Sequence, residues 1–256
     1  MTEHRWDSLR SPEFQTRRSD RDIAIVPIGS TEQHGPHLPV MVDSRLAAEV
    51  AIRAAALATG DANVFVTPVL WVSLAEHHMV FPGTLTLDFD TFQAVLRCLV
   101  NSLARQGFKR ILLLNGHGGN IAALSIIVDR LTHELGVPLV AATYWNVAAT
   151  EFGAILDGQN NLLHACEAET SMMMFLHPER VDAIAAATVD AQTGGFGEVR
   201  GAQRSRTMDE ISPSGVVGSP ALATREKGAA LLDAAARVLA ERISDDSWWG
   251  DRRPVC

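Results

Sequence analysis

The chain has few cysteines, and their spacing fits neither cross-links nor thiolate metal sites. Its 256 residues include Cys98, Cys166 and Cys256 and no other cysteine, an odd number at wide intervals. Such a set matches neither a disulfide framework nor a Cys-x-x-Cys zinc site. Reduced thiols are typical of the cytoplasm, where we expect this protein to be located.

The sequence also lacks a long apolar run and an excess of basic residues. No stretch contains the ~20 apolar residues of a membrane helix, and the polar residues 1–22 include no apolar signal-peptide core. Lys and Arg number 22 against 30 Asp and Glu, which gives a net charge of −8. We therefore expect that neither a membrane nor nucleic acid is a partner of this protein.

Apolar residues, which make up 47% of the chain, alternate between continuous runs and helically spaced stripes. The continuous runs predict buried strands at residues 23–29, 63–70, 109–115 and 137–145. Helical stripes and Ala-rich segments predict helices at about 44–59, 89–106, 121–135, 166–178 and 222–243. This alternation predicts an α/β fold in which helices cover both faces of a parallel sheet.

No internal repeat or linker divides the sequence, so we expect one domain over residues 1–256. Within it, residues 1–20 are expected to be peripheral, and the Gly- and Ser-rich residues 190–220 to form a long loop. In parallel sheets of this kind, ligands bind beyond the carboxyl ends of the strands. The polar loops after the first and third predicted strands emerge at such ends.

Those two loops carry side chains that metals prefer. Glu32, His34 and His37 lie in the first loop, which ends at Asp43, and His117 lies in the second, NGHGGN. Imidazole and carboxylate groups are the usual ligands of zinc, manganese and iron. Residues two apart on an extended chain point the same way, so Glu32 and His34 are expected to face one cavity. The carboxylate of Asp43 has two oxygens and is able to bridge two ions about 3.5–4 Å apart.

Two other interpretations of these residues stay open. The glycines of NGHGGN would also suit a phosphate-binding turn at a helix N-terminus, although the segment lacks the lysine of a P-loop. A metal-binding protein without catalysis would need the same ligands. We expect a structural role for His37, and we expect the asparagines that flank the glycines to hydrogen-bond the loop and orient His117.

Several stretches resemble the signature motifs of the creatininase family, in the same order. They are GSTEQHGPHLPVMVD, FPGTLTL, LLLNGHGGN and HACEAETS, and the later SPSGVVGSPALATREKG is similar to the family's C-terminal pattern. The resemblance, over roughly residues 20–240, implies a three-layer α/β/α fold with a mostly parallel central sheet. It also implies two divalent metal ions per subunit (Zn, Mn or Fe), a small-molecule substrate and a homo-oligomer, often a hexamer.

The resemblance also assigns roles to individual residues. It implies that Glu32 and His117 hold one ion, that His34 holds the other, and that Asp43 bridges them. His164 resembles the family's catalytic histidine, a proton donor or acceptor near the scissile bond.

One position departs from creatininase itself. That enzyme has a glutamate two residues after the histidine of its NGH motif, where this chain has Gly119. We predict that Glu167 replaces this ligand, since it lies three residues after His164 and would share a helical face with it. Glu169 would point about 200° away from Glu167 on a helix, so one of the two would enter the site; a structural role for both stays open. As a metal-bound carboxylate, Glu167 is also a candidate to pass a proton to the departing nitrogen.

The expected substrate pocket includes residues from several loops. They are Glu76, His77, His78, Gly118, Gly119 and Trp145, although surface or core roles for the side chains among them stay open. The predicted activity is that of a divalent-metal-dependent amidohydrolase, which cleaves a C–N bond in a small cyclic or non-peptide amide. Formamide deformylases, a peptide-processing enzyme and a keto-inositol hydrolase share the family, and the sequence does not choose among their substrate classes.

Overall fold

The central sheet has four parallel strands among the residues that the structure describes. The structure is a computed structural model, and it describes residues 3–17, 19–137, 139–193, 196, 202 and 204–250. The strands are β1 (Ile23–Ile28), β2 (Val64–Val66), β3 (Arg110–Asn115) and β4 (Leu139–Thr143). Their order is β2-β1-β3-β4, and every pairing is parallel. The predicted α/β fold with a mostly parallel sheet is confirmed.

Helices connect these strands and continue after them. In chain order they are α1 (Ser11–Thr16), α2 (Val42–Leu57), α3 (Phe89–Arg105), α4 (Ile121–Leu135), α5 (Tyr144–Val147), α6 (Ala149–Ile155), α7 (Glu167–Leu176), α8 (Ala183–Thr188), α9 (Met208–Ile211) and α10 (Arg225–Ser244). The five predicted helices correspond to α2, α3, α4, α7 and α10. The sequence did not predict α1, α5, α6, α8 and α9, because such short helices contain too few turns to show an apolar period.

Helices cover both faces of the sheet, which makes three layers. Ile25 and Leu112 point to one face and pack in a cluster with residues of α2, α7 and α10. Val26 and Leu113 point to the other face, in a cluster with residues of α3 and α4. Successive residues of a strand point to opposite faces. Burial on both faces therefore explains why the strands are continuous apolar runs rather than alternating ones.

Two strands are shorter than predicted. The second, expected over residues 63–70, ends at Val66, and the nearby Pro68 has no N–H with which to continue the ladder. The fourth, expected over 137–145, ends at Thr143, after which the chain turns into α5. In both cases the apolar composition continues beyond the strand, so composition alone could not place its end.

The N-terminal segment and the long loop contribute to packing more than expected. Trp6, in the segment expected to be peripheral, packs its ring against those of Phe65 and Phe108. The loop expected over residues 190–220 contains the short helix α9. Part of that loop lies outside the described residues, namely 194, 195, 197–201 and 203.

Two further observations concern the thiols and the helices. Cys98 and Cys166 carry free thiols, whereas Cys256 lies outside the described residues. No helix in the described part of the chain has the length and apolar character required to cross a bilayer.

Candidate metal centre

The ends of β1 and β3 lie beside the first turn of α2, and this junction brings the predicted ligands together. At Gly29, which follows β1, an added Cβ would lie 2.4 Å from the backbone nitrogen of Ser44. At Gly116, which follows β3, it would lie 2.9 Å from the carbonyl oxygen of Asp43. Because glycine alone permits such close approaches, these two residues let α2 place Asp43 against both strand ends.

Five buried ionisable side chains meet at this junction. They are Glu32, His34, Asp43, His117 and Glu169, each with no more than 3% of its surface exposed. Potential ligand atoms of Glu32, Asp43 and His117 lie within 4.8 Å of one another, and so do those of His34, Asp43 and Glu169. Asp43 belongs to both groups, as a bridging carboxylate would.

The imidazole of His117 has one tautomer that fits its surroundings. Its Nε2 lies 2.9 Å from the carbonyl oxygen of Leu74, which can only accept a hydrogen bond. In the neutral imidazole, which is the form that binds a metal, Nε2 therefore carries the proton and Nδ1 presents a lone pair. That lone pair lies 3.0 Å from Glu32 Oε2 and 3.0 Å from Asp43 Oδ2. Electron-rich atoms this close repel one another unless a proton or a metal ion lies between them.

The imidazole of His34 is held in a similar way on the other side of Asp43. Its Nδ1 donates to the backbone carbonyl of Glu32 over 3.0 Å, so Nε2 presents the lone pair. That nitrogen lies 3.1 Å from Asp43 Oδ1 and 3.6 Å from Glu169 Oε1. Each oxygen of Asp43 therefore faces a different histidine.

The carboxylates lack the donors that buried oxygens require. Glu32 Oε2, Asp43 Oδ2 and Glu169 Oε2 are buried and accept no hydrogen bond. An unsatisfied buried polar group costs about 1–3 kcal/mol, and a charged one costs more. Two divalent cations, one in each group of three residues, would satisfy these oxygens and both imidazole lone pairs. The donor set therefore fits a binuclear metal centre.

The electrostatics of the cluster favour positive charge. Burial lowers the pKa of His34 and His117, but the facing carboxylates raise it more, and both pKa values lie well above the ordinary value. Burial raises the pKa of Asp43, yet the facing imidazoles hold it below its usual range. The cluster thus attracts cations strongly, whether protons or metal ions.

The asparagines of NGHGGN hold the loop, as expected. Asn115 Oδ1 accepts a hydrogen bond from the backbone N–H of His117, and Asn115 Nδ2 donates to the carbonyl of His117. Asn120 donates to Asn115 and accepts from the backbone N–H of Leu74. This network orients both the imidazole and the backbone segment that binds it.

Gly119 leaves no room for a side chain. An added Cβ would lie 2.4 Å from His117 Nε2 and 2.6 Å from the carbonyl oxygen of Leu74. A side chain at this position would therefore disrupt the hydrogen bond that fixes the His117 tautomer. In this chain a carboxylate for a second metal ion would have to come from another segment.

That carboxylate belongs to Glu169, and the prediction that Glu167 enters the site is corrected. Glu167 accepts hydrogen bonds from the backbone N–H groups of Asp157 and Gly158 and pairs with Lys227. These contacts hold its carboxylate away from the cluster, so neither its predicted ligand role nor its predicted role in proton transfer is supported.

The incorrect choice came from the assumed start of the helix. Helix α7 begins at Glu167 with Cys166 as its N-cap, and Ala165 has a left-handed backbone with a φ of 50°. His164 therefore precedes the helix and shares no helical face with Glu167. The two glutamates do point in different directions, as two helical residues separated by about 200° must, and Glu169 is the one that reaches the site.

His164 lies beside the cluster, as expected. Its Nε2 donates to the carbonyl oxygen of Gln33 over 2.9 Å, and its Nδ1 lies 3.6 Å from Glu32 Oε1. Glu32, His34 and His164 form a third group of potential ligand atoms. Burial, and then the neighbouring imidazole of His34, lowers the pKa of His164 well below its ordinary value, so the ring is neutral.

A cavity of about 380 Å³ opens from the cluster. Its described lining includes His77, Gly118, Gly119 and Trp145, all of which were predicted to contact substrate. Glu76 is exposed and lies outside that lining, so its predicted contact with substrate is not supported. It begins a 3₁₀ turn, in which successive side chains point about 120° apart, and this separates it from His77.

Two other histidines are buried next to the site. His78 Nε2 lies 3.4 Å from Glu32 Oε1, and burial lowers the pKa of His78 to about 2. His37 Nε2 lies 2.9 Å from the hydroxyl of Thr170, the residue after Glu169 on α7. His37 thus supports the helix that carries the second carboxylate, which fits its expected structural role. The sequence could not show that the side chain of His78 is more deeply buried than that of His77.

The fold and the site together define a class of protein. A parallel sheet carries, at the carboxyl ends of its strands, two histidines and three carboxylates that fit a pair of divalent cations, beside a cavity. This arrangement is typical of a metal-dependent hydrolase built on an α/β fold with a parallel sheet.

The chain belongs to the creatininase family. The model of this family, described as creatinine amidohydrolase, matches residues 7–243. Membership makes the chain a metal-dependent amidohydrolase, so the predictions of the family and of the enzyme class are both confirmed.

Several curated relatives carry names that differ in substrate. The chain is 31% identical over 235 residues to the mycofactocin precursor peptide peptidase of Mycolicibacterium smegmatis, covering 90% of this chain and 87% of that protein. It is 26% identical over 266 residues to the 3-dehydro-scyllo-inosose hydrolase of Thermotoga maritima, covering 94% and 82%. It is also 26% identical over 253 residues to the creatinine amidohydrolase of Pseudomonas putida, covering 91% and 94%.

Solved structures agree with this assignment. A crystal structure of creatinine amidohydrolase superposes with a TM-score of 0.79 at 25% identity, covering 95% of this chain and 97% of that one. A structure described as creatininase Mn superposes with a TM-score of 0.77 at 25% identity, covering 94% and 98%. Together with the residue groups above, this relative supports the use of a divalent metal.

Proposed function

We propose that this chain hydrolyses a C–N bond in a small cyclic or non-peptide amide, with two divalent metal ions per subunit. The observation that carries the proposal is the position of Asp43. Its two oxygens lie 3.1 Å and 3.0 Å from ring nitrogens of His34 and His117, whose other nitrogens are occupied by backbone carbonyls. Such a carboxylate is suited to bridge two ions.

The residues divide into two ligand sets. Glu32, Asp43 and His117 would hold one ion, and His34, Asp43 and Glu169 would hold the other. Ligands of this kind, without thiolates, suit Zn, Mn or Fe. When bound, the ions would lower the pKa of a bound water to about 7 and polarise the substrate carbonyl.

His164 is the residue that we assign to proton transfer. Because its Nε2 donates to the carbonyl of Gln33, its Nδ1 is the nitrogen that remains to accept a proton. Nδ1 lies on the side of Glu32, next to the cluster. We infer that it takes a proton from the attacking water and delivers it to the departing nitrogen. His77, Trp145, Gly118 and Gly119, which line the cavity, would contact the substrate.

A second candidate is the processing of a peptide. It is favoured by the 31% identity to the mycofactocin precursor peptide peptidase, and the same centre would serve a peptide bond. Formamides and keto-inositols also remain candidate substrates, the latter through the 3-dehydro-scyllo-inosose hydrolase. The single domain, the homo-oligomer and the cytoplasmic location stay predictions.

Elemental analysis of the metal-replete protein tests the proposal. We expect about two ions per chain in the wild type, about one in Glu169→Gln and about two in Glu167→Gln. Hydrolysis of cyclic amides, formamides and short peptides by the wild type should disappear with a chelator. A wild type that holds one ion or none would exclude the two-metal mechanism. Tight phosphate binding that survives chelation would instead support an anion site at NGHGGN.

A further inference from the structure

The described lining of the cavity has a polar part and an apolar part. The polar part consists of the histidines and carboxylates of the cluster and of the glycine loop. The apolar part, the apolar wall, consists of large side chains, namely Ile121, Trp145, Leu162, Leu163, Phe196 and Ile211. They come from the start of α4, from α5, from the residues before His164, and from the loop over residues 190–220.

Part of this apolar wall is open to solvent. Ile121 is 42% exposed and Phe196 is 44% exposed, while Leu162 is buried. Apolar side chains that remain exposed next to a buried polar site gain free energy when a ligand covers them, at about 25 cal/mol per Å² of apolar surface. The wall is therefore suited to bind an apolar group of a ligand whose polar group lies at the cluster.

The charges of the described lining also favour an uncharged ligand group at the apolar wall. Among the described residues that line it there is no lysine or arginine, and the acidic ones, Glu32, Asp43 and Glu169, belong to the metal cluster. Arg206 donates a hydrogen bond to the backbone carbonyl of Phe196, and it lies outside the described lining. A phosphate or carboxylate placed against the apolar wall would lose its hydration, and the described lining offers it no cationic partner in return.

We propose, on the basis of the function proposed above, that the substrate is an uncharged amide with an aromatic or branched aliphatic group next to its reacting carbonyl. That group would pack on Phe196 and Ile211 while the carbonyl lies at the cluster. The cavity of about 380 Å³ lies near the lower end of the ~300–1,000 Å³ range of ligand pockets, which suits a small compound. Amides that carry a phosphate or carboxylate on this side would be rejected.

Hydroxamates test this inference without knowledge of the substrate, because they bind metal centres through one end. The Mn-loaded full chain would be titrated calorimetrically with acetohydroxamate, benzohydroxamate and 4-carboxybenzohydroxamate. We expect benzohydroxamate to bind about tenfold tighter than acetohydroxamate, because its ring covers the apolar wall. The added carboxylate should weaken binding by at least about tenfold relative to benzohydroxamate.

Substitutions in the apolar wall test whether this wall causes the preference for benzohydroxamate. Ile211→Ala and Phe196→Ala should each reduce the preference for benzohydroxamate over acetohydroxamate to about threefold. Ile184→Ala is the matched control, since this isoleucine is 80% exposed on α8 and lies outside the cavity lining; it should keep the wild-type ratio. Ile211→Lys would add a cation to the described part of this wall and should make 4-carboxybenzohydroxamate the tighter of the two aromatic ligands.

The outcomes separate this inference from the proposed function. Equal binding of the three hydroxamates, or a wild-type preference for the carboxylate, would overturn the inference and leave the metal centre intact. Failure of all three to bind the metal-loaded protein would overturn both, since the inference depends on a metal centre beside this wall. An unchanged ratio in Ile211→Ala and Phe196→Ala would also overturn it.

Discussion

The two parts of the candidate site are held in different ways. Glu32, His34, Asp43 and His117 lie close in sequence to β1, β3 or the first turn of α2. The rigid parallel sheet and the glycines at its strand ends position them. The segment from His164 to Glu169 follows no strand, and contacts with distant residues position it instead.

Those contacts come from Gln33 and from the segment that contains Ser214 and Val217. The backbone N–H and carbonyl of His164 pair with the carbonyl and N–H of Val217, over 3.1 and 2.9 Å. Gln33, whose own carbonyl binds the His164 ring, donates through Nε2 to the carbonyl of Ser214. The candidate metal ligands of the first part thus depend on the sheet, whereas His164 depends on long-range hydrogen bonds. Mutations should therefore be able to damage one part without the other.

The largest effect is expected at Gly119, in the part held by the sheet. Gly119→Ala would place a Cβ 2.4 Å from His117 Nε2 and break the hydrogen bond between His117 and Leu74. Loss of such a bond to a metal-binding histidine lowers metal affinity by about 10–100-fold. Titration with Mn or Zn would measure the change. Gly118→Ala is the matched control, because its Cβ would meet nothing within 4 Å; equal affinities of the two variants would contradict the role of Gly119.

A smaller effect, on stability, is expected at Glu167. Glu167→Gln would remove the charge that faces Lys227 and weaken two hydrogen bonds to backbone N–H groups. Breaking a buried, charge-assisted contact of this kind costs about 2–3 kcal/mol. Urea denaturation would show the loss, while elemental analysis should still give the wild-type metal content. A fall in metal content together with wild-type stability would restore Glu167 as a ligand.

A third effect is expected at Gly215, in the part held by long-range contacts. Gly215 has a φ of +67°, and an added Cβ would lie 2.2 Å from Gln33 Nε2. Gly215→Ala therefore carries the left-handed backbone cost of about 1–2 kcal/mol and also displaces Gln33 from Ser214. We expect turnover to fall by about tenfold with the metal content retained.

Gly136→Ala separates the two contributions. Gly136 has a similar φ of +63°, but an added Cβ would meet nothing within 4 Å. The left-handed backbone should cost both variants a similar amount of stability. Gly215→Ala should lose about 1 kcal/mol more, because Gln33 is displaced, and its turnover should also fall. Thermal unfolding and steady-state kinetics would measure the two effects. Equal losses of stability and equal turnover in the two variants would show that Gln33 does not position His164.

The sequence predicted one part of the site better than the other for a physical reason. Glu32, His34, Asp43 and His117 lie in loops whose flanking strands and helices show clear apolar patterns, so their meeting point followed from the rules of parallel sheets. Glu169 was not chosen, because its direction depends on where α7 begins. That start depends on the left-handed Ala165, a conformation uncommon for alanine that no local pattern indicates.

Local patterns of the sequence were thus enough for the α/β class, the parallel sheet, the family and the position of the candidate metal centre, since each depends on short-range periodicity or on a motif. The tertiary structure decided the rest. It showed that Gly119 has no room for a side chain, that Glu167 pairs with Lys227 while Glu169 reaches the cluster, and that an apolar wall lines the cavity. Each of these depends on residues far apart in the chain, and packing alone determines which of them meet.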